Sequence, residues 1–310
     1  MGVPVTGGGL PATSGNYYFV DPTNGLDGND GTSWETAVAT IPAAYALATT
    51  NNDDVIVLDT NAVHPLTSML TISKNRVHFV GDVYGRKYGQ RARIYMGITT
   101  AVTDIHMVKN LGTGNTFSGI KFWSDNTLTQ NTSCVGEGGE YTCYRNCEFY
   151  DSTRLTSDTH AELLLNGDST QFFDCTFGSN ADFISGDHVR PAVITTAGGV
   201  SGGSARSRDI LFDGCKFWKN AGGTTTAMVK VAADADLDRI VEFHDCLFNN
   251  SKLSSSVPAV AISAPTLTAS VIALTGDTVA VNCTKIGTAT GILNCTPARV
   301  ATATIGIQAT

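Results

Sequence analysis

The stretch Phe212-Asp213-Gly214-Cys215-Lys216-Phe217 recurs in nearly the same letters along the middle of this 310-residue chain. Three further copies occupy residues 144–149, 172–177 and 243–248, and a fifth, at 116–122, has Ile120 in place of the cysteine. The cysteines at 147, 175, 215 and 246 follow one another at steps of 28, 40 and 31 residues. Repetition at such a period indicates stacked structural units.

Each copy has the pattern of a strand followed by a turn. The Cys and the second Phe lie two residues apart and therefore share one face of a strand. Asn, Asp, Ser or Gly follows within a few residues, and these types tolerate the left-handed conformation of a sharp corner. A strand and a corner repeated every ~25–30 residues, without a strong helical pattern between them, predict a solenoid of β-coils. The longer step of 40 residues predicts one coil with an inserted loop.

The repeat also predicts the state of its cysteines. Parallel in-register coils place equivalent side chains about 4.7–4.9 Å apart, whereas a disulfide requires Cβ atoms about 3.5–4.5 Å apart. We therefore expect a reduced, inward ladder of small apolar side chains. Its members are Ile120, Cys147, Cys175, Cys215 and Cys246. A metal site is the alternative, but its ligands must converge on one point, and the chain contains no Cys-x-x-Cys.

The other four cysteines are less determined. Cys283 and Cys295 flank a predicted β-hairpin and are a possible disulfide, and Cys134 and Cys143 are a second possible pair. Free cysteines are the expectation for a protein that folds in a reducing cytosol.

Composition limits the classes of function. Charged residues make up only 15% of the chain, Gly numbers 32, the net charge is −8 and the pI is near 5.1. The absence of a basic cluster disfavours nucleic-acid binding. An acidic balance also disfavours an electrostatic grip on an anionic polysaccharide unless a local basic patch overrides it. No run of residues has transmembrane length and the first residues lack a signal peptide, so we expect synthesis in the cytosol and no membrane partner.

The chain divides into three predicted parts. Residues 1–15 read as an extended arm that is either disordered or, as we favour, docked on a partner, 16–255 as the solenoid, and 256–310 as a small C-terminal β domain. A short helix begins after Thr40, which is its predicted N-cap, with Pro42 in the first turn, and it is placed to seal the open end of the solenoid. After residue 256 aromatic residues are absent, and alternating Ala, Val, Thr and Ile predict hairpins. Apolar strands in so small a domain predict burial by another chain.

The N-terminal segment resembles a known superfamily. A strand ending in Val20-Asp21 is followed by an Asn/Asp/Gly-rich loop, then Gly31-Thr32-Ser33-Trp34, an Ala-rich helix and Asp54-Val55-Ile56-Val57-Leu58. This order resembles the start of right-handed parallel β-helix proteins of the pectate-lyase-like superfamily. The resemblance covers residues 17–60 well, and the repeats to about 250 fit it. It implies an all-β fold in a superfamily of polysaccharide lyases and hydrolases, surface proteins, phage tailspikes and other virion proteins, and a homotrimer as in virion β-helices.

Candidate site residues are few. The resemblance implies carboxylates and a basic residue on an exposed sheet face, and the best cluster is Asp182, Asp187 and Arg190 with the neighbouring His188. An ion pair between Asp187 and Arg190 is the simpler interpretation, and the polygalacturonase signature is absent. Asp174, Asp213 and Asp245 are expected at corners or on a solvated face.

Two tryptophans and one acidic loop are further candidates. Trp123 and Trp218 each follow the second aromatic position of a repeat, so they should point outward, either to bind sugar or to pack against a neighbouring subunit. The loop 27–31 is rich in oxygen ligands for Ca²⁺, but turn chemistry accounts for its residue types, and no cofactor is predicted.

The sequence therefore favours a non-enzymatic structural protein of a bacteriophage virion. The most specific hypothesis is a capsid decoration (cement) protein, located in the virion, whose partners are its own copies in a homotrimer and the major capsid protein. The alternative is a tailspike-like receptor-binding protein or polysaccharide depolymerase. A non-viral adhesin is the third hypothesis.

Overall fold

The computed structural model describes most of the chain between residues 13 and 294. The described residues are 13–81, 91–96, 106–124, 133–151, 159–178, 191–196, 199–219, 227–250, 260–268, 270–281, 283, 285–287 and 292–294. Their strands form three parallel sheets of ten, eight and eight strands, called sheets A, B and C. The strands are numbered in chain order.

Sheet A contains β1 (Tyr17–Val20), β2 (Asp54–Leu58), β5 (Val77–Gly81), β8 (Thr116–Ser118), β11 (Cys143–Arg145), β14 (Gln171–Phe173), β17 (Ser207–Asp213), β20 (Leu237–His244), β23 (Ser270–Thr275) and β26 (Ile292–Asn294). Sheet B contains β3 (Val63–Pro65), β6 (Ala92–Met96), β9 (Ile120–Ser124), β12 (Glu148–Asp151), β15 (Thr176–Phe177), β18 (Lys216–Lys219), β21 (Leu247–Asn250) and β24 (Val279–Val281). Sheet C contains β4 (Leu70–Ile72), β7 (His106–Asn110), β10 (Ser133–Glu137), β13 (Ala161–Leu165), β16 (Val193–Thr195), β19 (Ala227–Val231), β22 (Val260–Ser263) and β25 (Lys285–Gly287).

From β2 onward each strand pairs in parallel with the strand three positions further along the chain. One coil therefore visits sheets A, B and C in turn, and the described chain makes eight coils. The helical segments among the described residues are α1 (Ile41–Leu47) and a 3₁₀ turn at Asp234–Asp236, and neither is long and apolar enough to cross a membrane. The predicted right-handed parallel β-helix is confirmed.

Two columns of stacked rings fill the solenoid. Rings of successive coils lie 4.7–5.2 Å apart between centroids and are nearly parallel, and rings of the two columns meet edge to face or tilted at 5.5–6.3 Å. The sheet A column is Phe79, Phe117, Tyr144, Phe172, Phe212 and Phe243, and the sheet B column is Phe122, Phe149, Phe177, Phe217 and Phe248. Such pairs contribute roughly 0.5–1.5 kcal/mol each beyond the burial of their area.

The repeat is two strands joined by a corner, so the prediction of a single strand with the turn behind it is wrong. The residue before each ladder position has a positive φ: 66° at Gly119, 49° at Asn146, 52° at Asp174, 62° at Gly214 and 50° at Asp245. This left-handed residue turns the chain from sheet A into sheet B. Asp174 and Asp245 are therefore corner residues, as one of their predicted roles required.

The ladder residues directly after the corner are at most 1% exposed. The four ladder cysteines are free thiols, and each donates to a carbonyl oxygen of the preceding coil at 3.3–3.6 Å. Cys134, Cys143 and Cys283 are also thiols outside any disulfide, so the alternative of a bridge between Cys134 and Cys143 is wrong. Cys134 is buried and donates to the Tyr150 carbonyl at 2.9 Å, whereas Cys143 lies on the outer side of β11. Cys295 lies outside the described residues.

The described C-terminal strands continue the solenoid. The predicted hairpins are wrong there, because β22 to β26 all pair in parallel with the preceding coil. Leu274 takes the register position next to Phe243, and Ala280 the position next to Phe248, and both are buried. Aliphatic side chains thus replace the rings in the same columns, which explains a loss of aromatic residues without a change of fold.

Helix α1 covers the first coil. Thr40 caps it as predicted, since its side chain accepts from the Ala43 N–H at 3.2 Å and Pro42 lies in the first turn. The Tyr45 ring stacks on Phe79, the first ring of the sheet A column, at 6.3 Å. The helix therefore shields the N-terminal end of the core. Of the predicted arm, only residues 13–15 are described.

Candidate functional site

The structure describes only part of the predicted site residues. Asp182, Asp187, His188 and Arg190 lie outside the described residues, and the cysteine ladder lies inside the solenoid. In the loop proposed for Ca²⁺, the Asp27 carboxylate accepts from the Ala39 and Thr40 N–H groups at 3.0 and 2.8 Å. Asp30 accepts from the N–H of Thr32 at 3.0 Å. These carboxylates act in turn and cap hydrogen bonds.

Trp123 and Trp218 lie where the sequence predicted, on the outer face of sheet B. The register pairs Tyr95 with Trp123 and Trp123 with Tyr150, so three aromatic residues occupy one outward position in successive coils. The Tyr95 and Trp123 rings lie 4.8 Å apart at 58°. We call Tyr95, Trp123, Tyr150 and Trp218 the aromatic column. Tyr150 directly follows Phe149, as the tryptophans follow Phe122 and Phe217, so the repeat carried the signal that could have found it. Tyr95 lies outside the repeats and joins the column only through the register.

Gly178 interrupts the aromatic column between Tyr150 and Trp218. It directly follows Phe177, which pairs with Phe217, and it has a φ of +84°. A Cβ atom at Gly178 would lie 2.0 Å from the Trp218 carbonyl oxygen, so no larger residue fits. The column therefore has three adjacent rings, a notch one coil wide, and a fourth aromatic residue beyond it.

Charged side chains flank the column on the same face. Lys121 Nζ lies 2.8 Å from Glu148 Oε1 and sits over the rings of Trp123 and Tyr150, at 5.9 and 5.0 Å from their centroids. Lys216 Nζ lies 5.9 Å above the Trp218 ring. These contacts orient the lysines by cation–π attraction. The outer face of sheet B thus combines aromatic surface with charged groups able to donate and accept hydrogen bonds.

The indoles present apolar surface. Trp123 and Trp218 are half-buried, and the Nε1 atom of each is inaccessible to solvent and has no hydrogen-bond partner among the described residues. The exposed part of each ring is therefore carbon. This arrangement favours contact with a partially apolar surface over a hydrogen bond to the indole N–H.

A second site lies where the chain passes from sheet C to sheet A. A groove of about 310 Å³ opens there, which we call the C–A groove. Its lining residues are Glu140, Asp168, Ser204, Ala205, Arg206, Arg208 and Asp238. The sequence analysis missed all of them, because they share no motif and only the coil register brings them together. The predicted loop insertion in the 40-residue step was the one available signal.

A buried ion pair and a separate buried carboxyl group lie beside these surfaces. Lys219 Nζ contacts Glu162 Oε1 at 2.6 Å, and both side chains are fully buried. Glu137 is also fully buried; it accepts from the Gly139 N–H at 2.7 Å, from Asn110 Nδ2 at 2.9 Å, and from the Tyr144 hydroxyl. Burial raises the pKa of Glu137 to about 7, although these hydrogen bonds oppose the shift. These groups belong to the interior and do not line a binding surface.

Comparisons with known proteins identify the architecture. No protein-family model matches the chain, and no curated protein sequence matches it. Among solved structures it is similar to the pectate lyase Pel9A, with a TM-score of 0.58 and 13% identity over 89% of this chain and 68% of that one. A pectin methylesterase from Aspergillus niger gives 0.58 and 14% over 97% and 92%. A rhamnogalacturonan lyase gives 0.61 and 13% over 88% and 70%.

At 13–14% identity these similarities concern the fold. The chain is a right-handed parallel β-helix protein whose architecture matches that of polysaccharide-active enzymes.

Proposed function

We propose that this protein binds a polysaccharide or other extended glycan along the aromatic column of sheet B. This is the receptor-binding alternative of the sequence analysis. The single observation that carries it is the in-register alignment of Tyr95, Trp123 and Tyr150 on one outward face.

The geometry of the column suits a sugar chain. One face of a pyranose ring is a surface of C–H groups, and its rim carries hydroxyl groups. Aromatic rings repeated at about 4.7–4.9 Å along the solenoid axis offer a continuous surface for such faces. Lys121, Glu148 and Lys216 flank the rings and can donate to or accept from the hydroxyl rim. The rigid scaffold also keeps the ordering cost of binding low.

The solved structures support the same class of ligand by analogy. The similar proteins include a pectate lyase and a rhamnogalacturonan lyase. A pectin methylesterase in complex with a hexasaccharide is also similar, with a TM-score of 0.58 and 14% identity over 96% of this chain and 94% of that one. The proposal for this chain is binding, with no bound cofactor and no cleavage.

The test is glycan binding by the intact protein and matched variants. We would screen a panel of bacterial surface polysaccharides by affinity electrophoresis and measure each hit by calorimetry. Trp123→Ala and Tyr150→Ala should each weaken binding about tenfold or more, which corresponds to about 1.4 kcal/mol. Phe173→Ala is the control, because Phe173 is a half-buried aromatic residue on the outer face of sheet A, beneath Arg145. Equal losses in all three variants, or a panel without a hit, would overturn the proposal.

Release of reducing ends distinguishes binding from depolymerisation. We expect none when a bound polysaccharide is incubated with the protein. Release that persists in Trp123→Ala would assign cleavage to another surface.

The capsid decoration role stays a prediction from the sequence, together with the virion location, the homotrimer and the major capsid protein as partner. The half-buried rings of sheet B would also suit contact with a neighbouring subunit, which was the second predicted role of Trp123 and Trp218. Copy number in purified virions, measured by mass spectrometry, tests this role. Hundreds of copies would support decoration, and a few copies in multiples of three would support a spike.

A further inference from the structure

The C–A groove is walled by an inserted segment of the fifth coil. Residues 199–206 belong to the connection between β16 and β17, and Ser204, Ala205 and Arg206 form one side of the groove. Glu140 and Asp168 come from the corresponding corners of the two preceding coils, and Asp238 from β20. Four successive levels of the solenoid, marked by Glu140, Asp168, Arg208 and Asp238, therefore contribute to one cavity.

The inserted segment is held against the preceding coils. The Ser204 N–H donates to the Gly138 carbonyl at 3.1 Å, and Asn166 Nδ2 donates to the Ser204 carbonyl. Gly138 and Gly203 approach so closely that a Cβ atom on Gly203 would lie 2.6 Å from the Gly138 Cα. Val200 is buried in an apolar cluster with Leu164 and Ile194. The wall is therefore fixed by hydrogen bonds, by close backbone packing and by an apolar anchor.

The floor of the groove is an ordered ion-pair network. Arg208 donates from Nε to Asp238 Oδ2 at 2.8 Å, and its Nη1 lies 3.3 Å from Asp168 Oδ2. A carboxylate offers about four acceptor positions and a guanidinium five donors. The network can therefore still donate hydrogen bonds to a ligand and accept hydrogen bonds from it. Since Asp168 and Asp238 hold the Arg208 guanidinium from two sides, its remaining donors are oriented before a ligand binds.

The lining selects the chemistry of a ligand. Three carboxylates, of Glu140, Asp168 and Asp238, face two guanidinium groups, of Arg206 and Arg208, so the lining has a formal charge of −1. The described lining residues include no aromatic or large aliphatic side chain, which disfavours an apolar ligand. The negative balance disfavours an anionic one. A volume of about 310 Å³ is at the lower end of the range for small-molecule sites, roughly 300–1,000 Å³.

We propose that the C–A groove binds a single uncharged sugar unit. The hydroxyl groups of such a ligand donate to the Glu140 carboxylate and to the remaining lone pairs of Asp168 and Asp238, and accept from Arg206 and Arg208. This site lies on the edge between sheets C and A, away from the aromatic column, and does not depend on glycan binding by sheet B. It also predicts a preference for neutral sugars over uronic acids, which the sheet B proposal does not.

The test compares neutral methyl glycosides with the methyl glycosides of the corresponding uronic acids, whose carboxylates are not esterified. Binding is measured by saturation-transfer NMR and calorimetry on the full chain. We expect at least one neutral glycoside to bind saturably and its uronate to bind at least tenfold more weakly. Glu140→Gln and Arg206→Ala change exposed side chains on the rim and should each weaken binding at least fivefold. Asp245→Asn, an exposed carboxylate at the other corner of sheet A, is the matched control and should have no effect.

The results separate this proposal from the one for sheet B. Trp123→Ala should leave binding of the small glycoside unchanged, and a loss in that variant would move the ligand to the aromatic column. The groove proposal is overturned if no neutral glycoside binds, if uronates bind equally well, or if Glu140→Gln and Arg206→Ala bind like the unmodified protein.

Discussion

The two corners that flank sheet A both turn through residues with positive φ, but their side chains are arranged in opposite ways. At the corner between sheets A and B, one residue with positive φ is followed by one buried small side chain, and this pair repeats from coil to coil. At the corner between sheets C and A, the side chains differ in every coil. Single backbone bridges link Thr113, Glu140, Asp168 and Arg208 there, and these residues differ in size and charge.

The difference shows how a solenoid divides its tasks. Identical neighbours in a stack give the same favourable contact in each coil, so the A–B corner and its ring columns stabilise the fold. A corner with varied polar residues must satisfy each group separately, with a network such as that around Glu137 or Arg208. The varied corner is therefore where a binding site can arise without disturbing the stacks.

The largest expected effect is in the ring columns. Phe212→Ala should lower the free energy of unfolding by about 3–5 kcal/mol, because it removes a fully buried ring and leaves a cavity. Phe212 stacks on Phe172 at 4.7 Å and on Phe243 at 4.9 Å. Urea unfolding followed by tryptophan fluorescence measures the change.

Phe173→Ala is the matched control, since Phe173 lies next to Phe172 but on the outer side of the same strand. It should cost less than about 1 kcal/mol. Similar costs for the two variants would mean that the inner columns are not the main source of stability.

The third corner, between sheets B and C, holds the buried pair of Lys219 and Glu162. Lys219→Met should destabilise by about 3 kcal/mol, because it removes the ammonium group that contacts the buried Glu162 carboxylate at 2.6 Å. Adding Glu162→Leu should restore most of the loss, since two apolar residues replace the pair. Lys121→Met, which breaks the half-buried contact with Glu148, should cost less than about 1 kcal/mol. A double variant as unstable as Lys219→Met would contradict this account.

The inward positions of the repeat and the helical cap could be predicted because both depend on residues that are close together in the sequence. Thr40 and Pro42 predict the start of the helix, and the repeated Cys and Phe predict the inward positions. The position of the corner escaped prediction because a Cys and a Phe two residues apart share a face whether the chain bends before or after them. The bend depends on one preceding residue, which is Asn146 in one repeat and Gly214 in another.

The C–A groove could not be predicted for a different reason. Glu140, Asp168 and Arg208 are 28 and 40 residues apart, and no pattern connects them in the sequence. Their contact follows from the register of three coils, which depends on the lengths of all intervening loops. The aromatic column is intermediate, because Trp123, Tyr150 and Trp218 each follow the second aromatic residue of a repeat, whereas Tyr95 joins them only through the register.

The C–A corner should also make stability depend on pH. Glu137 has an ordinary pKa of 4.5 when unfolded and about 7 in the folded protein, so the folded state binds the additional proton between these values. Stability is then unaffected by this group below about pH 4.5, and falls as the pH rises towards 7. The loss is about 3 kcal/mol at most, from 1.36 kcal/mol per pKa unit.

Glu137→Gln isolates this contribution. Relative to the unmodified protein, the variant should gain stability progressively between pH 4.5 and 7, measured by urea unfolding at several pH values. Glu140→Gln, which changes an exposed carboxylate three residues away, is the control for the loss of a negative charge at this corner. A constant difference between Glu137→Gln and the unmodified protein across this range would show that Glu137 does not titrate there.

The smallest effect concerns the free-energy cost of placing a non-glycine residue at positive φ, which we expect to be similar at the two corners. Gly214 has a φ of +62° at the A–B corner and Gly114 a φ of +72° at the C–A corner. An added Cβ would lie 3.0 Å from Asp174 Oδ1 in the first case and 3.3 Å from Arg76 Cγ in the second, and both are side-chain atoms that can shift. Gly214→Ala and Gly114→Ala should therefore each destabilise by about 1–2 kcal/mol, the cost of a left-handed L-residue.

Asn146→Gly supplies the opposite change at the A–B corner, because glycine adopts positive φ without strain, but it also removes the hydrogen bond that Asn146 Oδ1 accepts from Arg91 Nη2 at 2.9 Å. We expect the two effects to offset each other to within about 1 kcal/mol. Equal costs for the two alanine variants would assign the difference between the corners to their side chains. A much larger cost for Gly214→Ala would mean that strain at one A–B corner spreads through the stacked ring columns. The stability of each coil would then depend on more than its two neighbouring coils.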